Sequence, residues 1–269
     1  MPVFPHDNID FHFEQRGAGP VLVFTHGLSG DSADVRDLLG DSKDYSLLLW
    51  DVRGHGRTEP LGAPDAFSFA RFAGDLQALM SHLGIQRAVV GGVSMGAGIS
   101  TRLALDWPDL VRGLVLVRPA WLNERFPEPL RPCKRIGELL AAYGPDEGRR
   151  RFEQTAEYET ICQTDPLAAR LFCEQFTKAR AAERNIRLQT IPLDCPIRSW
   201  DEVVEIKVPT MVIGSRNDFT HPFAYAAEWA RRIPQATLEE VPYKEFDRAA
   251  YQFQVRALIN TFMTALCQE

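Results

Sequence analysis

The chain has no surplus of basic charge: 30 Lys and Arg stand against 36 Asp and Glu, a formal net charge of −6. Phosphate backbones are held by a concentrated basic field, so nucleic acid is set aside as a main partner. No apolar run approaches the roughly 20 residues that span a bilayer. The start, Met1-Pro2-Val3-Phe4-Pro5, lacks the basic and apolar regions of a signal peptide. A cytoplasmic protein with no membrane partner is expected. The five cysteines, Cys133, Cys162, Cys173, Cys195 and Cys267, are odd in number, scattered, and without a close Cys/His spacing. Free thiols are therefore expected and a metal site is not. The chain also lacks the Gly-Lys-Ser/Thr of a P-loop, and Gly96-Ala97-Gly98 lacks a third spaced glycine, so no cofactor is expected. Internal repeats and low-complexity tracts are absent. One further lack matters more than these: of six histidines, none lies beyond His221.

What is present reads as one large α/β domain. Hydrophobic residues make up 45% and charged residues 25% of the 269, the composition of an ordinary globular protein long enough to bury a substantial core. Ile9, Phe11 and Phe13 alternate with Asp10, His12 and Glu14, the period of a half-buried antiparallel strand. Short, nearly all-apolar runs follow at 21–24, 47–50, 88–90, 114–117 and 210–213, each suited to a strand buried on both faces of a parallel sheet. Helical patterns lie between them. In the clearest, Phe69, Phe72, Leu76, Leu79, Met80 and Leu83 share a face, with Ser68 as N-cap and Gly84 just past the end. A second helix is expected over 95–107, stopped by Pro108. A last one over 247–266 places Val255, Ile259 and Phe262 on one side. This alternation predicts a doubly wound, mostly parallel sheet. Residues 119–205 break the rhythm with helical periodicity and no buried-strand run, which predicts a helical cap inserted into a core of 1–118 and 206–269. The proline-rich stretch 126–132 reads as its hinge.

The chemistry centres on Gly92-Val93-Ser94-Met95-Gly96. This G-x-S-x-G follows a strand and opens a helix, the context in which it is a strained nucleophile elbow that exposes a serine hydroxyl. Ser94 is the expected nucleophile. The N–H of Met95 lies at the helix start, and that of Leu28, in His26-Gly27-Leu28 after the neighbouring strand, lies beside it. Together they are the expected oxyanion hole. His26 reads as a buried support for that loop.

Val23-Phe24-Thr25-His26-Gly27, Asp51-Val52-Arg53-Gly54-His55-Gly56-Arg57-Thr58, the Ser94 elbow and Pro209-Thr210-Met211-Val212-Ile213-Gly214-Ser215-Arg216-Asn217-Asp218 resemble the α/β-hydrolase superfamily in residues and in order. The likeness is greatest to its cap-bearing esterase, lactonase and C–C hydrolase branch, and it covers the chain outside the cap. The resemblance implies the α/β-hydrolase fold, a small-molecule substrate with an ester, lactone or C–C bond beside a carbonyl, and Asp218 as the acid. It also makes the Arg53-Gly54-His55-Gly56 turn structural. The family pattern ends with a histidine on the loop between the last strand and the last helix, and this loop has none. Aligning Val241-Pro242-Tyr243-Lys244-Glu245-Phe246 with the family's Val-Pro-Gly-x-Gly-His puts Phe246 on the histidine. Val255, Ile259 and Phe262 give the same register from the helix side, nine, thirteen and sixteen residues on.

A serine hydroxyl without a base is a poor nucleophile. Three readings stay open. A substitute base is supplied by His221, His55, Lys244 or Glu245; the pocket performs non-hydrolytic work as an isomerase or lyase; or the chain is a receptor-like ligand binder without turnover. Arg118, just beyond the strand at 114–117, is a candidate for a substrate carboxylate, with an ordinary ion pair as the alternative. Trp121, Phe126, Phe172 and Phe176 are candidates for the pocket wall, with core packing as the alternative.

Overall fold

The computed structural model describes residues 2–267. Eight strands form one sheet: β1 (Val3–His6), β2 (Ile9–Arg16), β3 (Val21–Thr25), β4 (Ser46–Trp50), β5 (Ala88–Val93), β6 (Val111–Val117), β7 (Thr210–Gly214) and β8 (Ala236–Glu240). Their order is β1-β2-β4-β3-β5-β6-β7-β8. β1 and β2 pair antiparallel, as do β2 and β4, and every later pairing is parallel. The five apolar runs all become strands, because a strand covered on both faces has no place for a polar side chain.

Two strands escape that pattern. β8 lies at the sheet edge, and its Ala-Thr-Leu-Glu-Glu sequence is half-buried or exposed throughout. β1 is the opposite edge. β2 departs from its expected alternation as well, since His12 and Glu14 are buried along with the apolar residues. The cause is cover from outside the sheet: the Arg36 guanidinium takes both oxygens of Glu14 at 2.8 and 2.9 Å, and Arg57 lies 3.2 Å from His12 Nε2.

Helices cover both faces. α1 (Ser32–Leu39) contributes Val35, Leu38 and Leu39 to a core on one face. The opposite face is covered by α2 (Phe69–His82), in which Ser68 accepts from Arg71 N as its N-cap, and by α3 (Met95–Asp106). Between β6 and β7 the chain makes a long excursion that, among the described residues, contains helices and no strand. Its helices are α4 (Arg131–Glu153, broken at Gly144), α5 (Ala156–Thr164), α6 (Pro166–Glu174), α7 (Asn185–Thr190) and α8 (Trp200–Val203). After β7, α9 (Phe223–Arg232) joins α2 and α3 through Ala226 and Trp229. Finally α10 (Arg248–Cys267) packs with α1, burying Tyr251, Val255, Ile259, Met263 and Leu266. Among the described residues, no helix is long and apolar enough to cross a membrane. Cys133, Cys162, Cys173 and Cys195 are free thiols, and the Cys267 side chain lies outside the described residues.

Because β3 sends the chain to β4 on one side while β5 lies on its other side, the connections diverge between β3 and β5. Crevices at such a switch point, beyond the carboxyl ends of the strands, are where ligands of open α/β sheets collect. Thr25 pairs with Gly92 there, which sets His26-Gly27-Leu28 beside Ser94.

Candidate active site

β5 runs straight into α3 through one residue. Ser94 has φ 56 and ψ −110, a backbone conformation costly for any residue with a Cβ. Its neighbours make the turn feasible. A Cβ on Gly92 would lie 2.5 Å from Gly96 C, and one on Gly96 would lie 2.2 Å from Thr25 O. Both positions must be glycine for the strand, the helix start and the β3 end to approach so closely. Ser94 N donates to Val117 O at 2.9 Å, which pins the elbow to β6. No side chain caps α3, so its first-turn N–H groups remain available at the positive end of the helix dipole.

Ser94 opens on a cavity of about 480 Å³. His26 and Leu28 of the loop after β3, Arg118 after β6, and Asp218 and His221 after β7 share its wall. The excursion adds Cys133 and Phe172. The loop after β8 adds Tyr243, Lys244 and Glu245.

Two histidines near Ser94 serve the backbone. His26 Nε2 accepts from Val52 N at 3.1 Å, which fixes the tautomer so that Nδ1–H donates to Gly27 O at 2.8 Å. Burial lowers its pKa and keeps it neutral. The His55 ring lies 4.9 Å from that of His26, wholly buried, with Nε2 at 2.8 Å from Leu28 O and Nδ1 at 3.0 Å from Arg53 O. It braces the Leu28 loop, and it does not line the cavity. An ideal Cβ on Gly27 would be 3.6 Å from Ser94 Cβ, which measures how tightly that loop rides on the elbow.

Asp218 lies in the turn after β7, its side chain 1% exposed. Three donors converge on it. Arg118 Nε donates to Oδ2 at 2.6 Å; His221 N donates to Oδ1 at 3.0 Å; His221 Nδ1 is 3.1 Å from Oδ1 and 3.2 Å from Oδ2. Burial by itself would raise the Asp218 pKa, but the charges and hydrogen bonds of Arg118 and His221 outweigh it and hold the carboxyl far below the usual range. Arg118 stays fully charged for the reciprocal reason. For His221, burial is the largest influence and lowers the pKa; Asp218 opposes this, while Arg118 and Lys244 reinforce it. The imidazole is thus neutral at pH 7, with Nδ1–H on the carboxylate and Nε2 left as an acceptor. Among the described residues no hydrogen bond joins Ser94 Oγ to His221.

The structure treats the other expected residues unequally. Arg118, a candidate for a substrate carboxylate with an ion pair as the alternative, lines the cavity and pairs with the Asp218 carboxylate. Trp121 lies behind Ser94 against a void of about 10 Å³, apart from the large cavity. Its ring packs edge-on against Phe69 and its carbonyl accepts from Trp229 Nε1 at 2.7 Å. Its own indole N–H has no partner among the described residues. Phe172 lines the cavity, whereas Phe176 packs with Phe152 inside the excursion. Phe246 is 86% exposed and absent from the cavity wall. The N–H groups of Phe246 and Asp247 both donate to Tyr243 O, a tight turn ahead of α10 that points Phe246 outward and leaves the inward positions to Tyr243, Lys244 and Glu245. Burial and the nearby Arg118 lower the Lys244 pKa. Among the described residues no group of three or more His, Cys, Asp or Glu is arranged to hold a metal ion.

Sequence reasoning missed Tyr243, Asp165 and Tyr251. Tyr243 Oη donates to Asp165 Oδ2 at 2.8 Å, tying the loop after β8 to the start of α6, which Asp165 also caps through the N–H groups of Leu167 and Ala168. Asp165-Pro166 is a readable helix start. Nothing local marks its second partner, 78 residues away.

Sheet order, elbow and loop placement define a class: the chain has the α/β-hydrolase fold, and the family model described as "alpha/beta hydrolase fold" matches residues 20–146. Among curated proteins it is 29% identical over 266 residues to a protein of Pseudomonas syringae pv. syringae provisionally named carbamate hydrolase RutD, covering 94% of this chain and 98% of the relative. Among solved structures it is similar to MGS-M2, an α/β-hydrolase enzyme from a Medee basin deep-sea metagenome library, at TM-score 0.76 and 21% identity over 98% of this chain and 97% of that one. The enol-lactonase from Burkholderia xenovorans is similar at TM-score 0.72 and 22% identity, with 100% of each chain covered.

Proposed function

We propose that this chain belongs to the α/β-hydrolase family and hydrolyses a small carbonyl compound, an ester or lactone or a C–C bond beside a carbonyl. Ser94 is the nucleophile, His221 the base and Asp218 the acid. The observation that carries this reading is the Asp218–His221 contact in the wall of the cavity on which Ser94 opens. Neutral His221, held by Nδ1, presents Nε2 to accept the Ser94 proton as Oγ attacks the carbonyl carbon. The N–H groups of Leu28 and Met95 take the oxyanion of the tetrahedral intermediate. His221 then passes its proton to the leaving group, and water, deprotonated by the same nitrogen, releases the acyl group from Ser94. The Ser94–His221 hydrogen bond forms in the substrate complex, as such contacts commonly tighten only then.

The base on this reading comes from the acid's own turn, three residues on, and not from the loop after β8 where Phe246 stands at the family's histidine position. The helical excursion acts as a cap, and its Cys133 and Phe172 shape the acyl or alcohol side of the substrate. The relatives lend support: one is provisionally named a carbamate hydrolase and another is an enol-lactonase.

Hydrolysis of p-nitrophenyl acetate tests the assignment. Ser94→Ala abolishes turnover above background, and His221→Gln lowers kcat by about 10²- to 10⁴-fold, the usual worth of a general base. Lys244→Met separates this from the second reading, in which the desolvated Lys244 is the base. If Lys244→Met stops turnover and His221→Gln does not, the base is Lys244. Turnover that survives Ser94→Ala would refute nucleophilic catalysis.

A further inference from the structure

Arg118 is held with unusual care for a residue that touches the cavity wall. It follows β6 directly, in the left-handed region at φ 50. Its N–H donates to Ile213 O at 2.7 Å, extending the β6–β7 ladder by one bond. The guanidinium is 5.8 Å from the ring of buried Tyr251 on α10. Its side chain is 6% exposed, and its Nε takes Asp218 Oδ2 at 2.6 Å. A lone anion-binding arginine at a rim would need neither the strained backbone nor the buried carboxylate.

We infer that Arg118 is a positioning residue for the reaction: by anchoring Oδ2 of Asp218 it fixes the rotation of the carboxylate that holds the His221 ring, and it sets a buried guanidinium beside the Asp218–His221 pair. This rests on the assignment of His221 as base. Arg118 Nε takes Oδ2 and the His221 N–H takes Oδ1, while His221 Nδ1 straddles the two oxygens at 3.1 and 3.2 Å, so the ring faces a carboxylate whose rotation the guanidinium anchors at one end. Without the guanidinium, a buried Asp218 would lose its only arginine partner among the described residues and compete with His221 for a proton. The groups that face His221 are Asp218 on its own turn, Arg118 from β6 and Lys244 from the loop after β8. Glu245 and Tyr251 add to the field at Arg118. An Asp–His pair alone would attract a proton strongly; with Arg118 beside it, the added proton gives the cluster a net positive charge. The pair therefore stays ready to accept the Ser94 proton at lower pH.

Two variants separate charge from geometry. Arg118→Gln removes the charge and leaves an amide donor; Arg118→Lys keeps the charge and loses the Nε donor. In protein labelled with ¹⁵N-histidine, with the His221 signals assigned by their absence from His221→Gln, the His221 midpoint rises by about one pH unit or more in Arg118→Gln and stays near wild type in Arg118→Lys. The acid limb of p-nitrophenyl acetate hydrolysis shifts in the same direction for Arg118→Gln. For Arg118→Lys, kcat falls roughly tenfold or more with KM unchanged, the cost of a lost charge-assisted hydrogen bond. An unchanged His221 midpoint in folded Arg118→Gln overturns the inference. So does a wild-type kcat in Arg118→Lys, which decides the matter if the glutamine variant does not fold. The titration needs no turnover, so a wild-type protein that fails to hydrolyse esters sinks the assignment of function and leaves the test of Arg118 intact.

Discussion

At the scale of single residues, the site sets strain against use. Ser94 occupies a backbone region that glycine tolerates and serine does not, at a cost of about 1 to 3 kcal/mol. Ser94→Gly relieves that strain and deletes the hydroxyl. The expected result is a protein more stable by about 1 kcal/mol in urea unfolding and inactive toward esters. A variant that is equally or less stable would show that the elbow is not strained. Phe246 gives the opposite case. Its exposed side chain predicts that Phe246→His leaves both ester turnover and stability essentially unchanged, measured by p-nitrophenyl acetate hydrolysis and thermal unfolding. A large gain in turnover would mean that the loop after β8 turns inward when the residue is histidine. These residues also show what the sequence makes legible. Ser94 is readable because its turn needs Gly92 and Gly96 at fixed offsets, and Asp218 because the stretch from Pro209 to Asp218 resembles the family's acid-bearing strand and loop. The part played by His221 is not readable. The proposed role rests on its contact with the Asp218 carboxylate, whose other partner, Arg118, lies 100 residues away in the chain and leaves no local signal.

At the scale of elements, the buried strands were legible because continuous cover on both faces leaves a plain apolar run. The edge strands β1 and β8 were not, because half their surface faces solvent and their sequences carry little pattern. The contact between α6 and the loop after β8 is of the second kind. Tyr243 Oη on Asp165 Oδ2 spans two elements with no local signal, yet it fastens the excursion to the wall that carries Lys244 and Glu245. Tyr243→Phe removes that one hydrogen bond and little volume. Urea unfolding should show a loss of about 0.5 to 1.5 kcal/mol, and amide exchange in α6 should quicken. No change in either would mean that the latch contributes nothing to holding the excursion in place.

At the scale of the whole molecule, three buried imidazoles link stability to pH. Burial lowers the pKa of His26, His55 and His221 in the folded chain, His55 most clearly. The unfolded chain takes up protons at these groups near pH 6.5, where the folded chain refuses them. Stability is therefore full above about pH 6.5 and falls as pH drops toward the lowered folded values. Asp218 adds a further loss below about pH 4, where the unfolded carboxyl protonates and the folded one does not. Urea midpoints should fall steadily from pH 7 to pH 5, and in His55→Gln the slope should flatten by up to about 1.4 kcal/mol per pH unit. A flat profile in the wild type would mean that the imidazoles are solvated. The central claim is that Ser94 is activated by His221 on Asp218, while Phe246, aligned by the proposal with the family's histidine, points to solvent. It is tested most directly by peptide-mapped labelling with a fluorophosphonate. The account predicts modification of Ser94 in the wild type, at a rate that drops by about 10²-fold or more in His221→Gln and persists in Lys244→Met. Labelling of Ser94 that is indifferent to His221→Gln would contradict it.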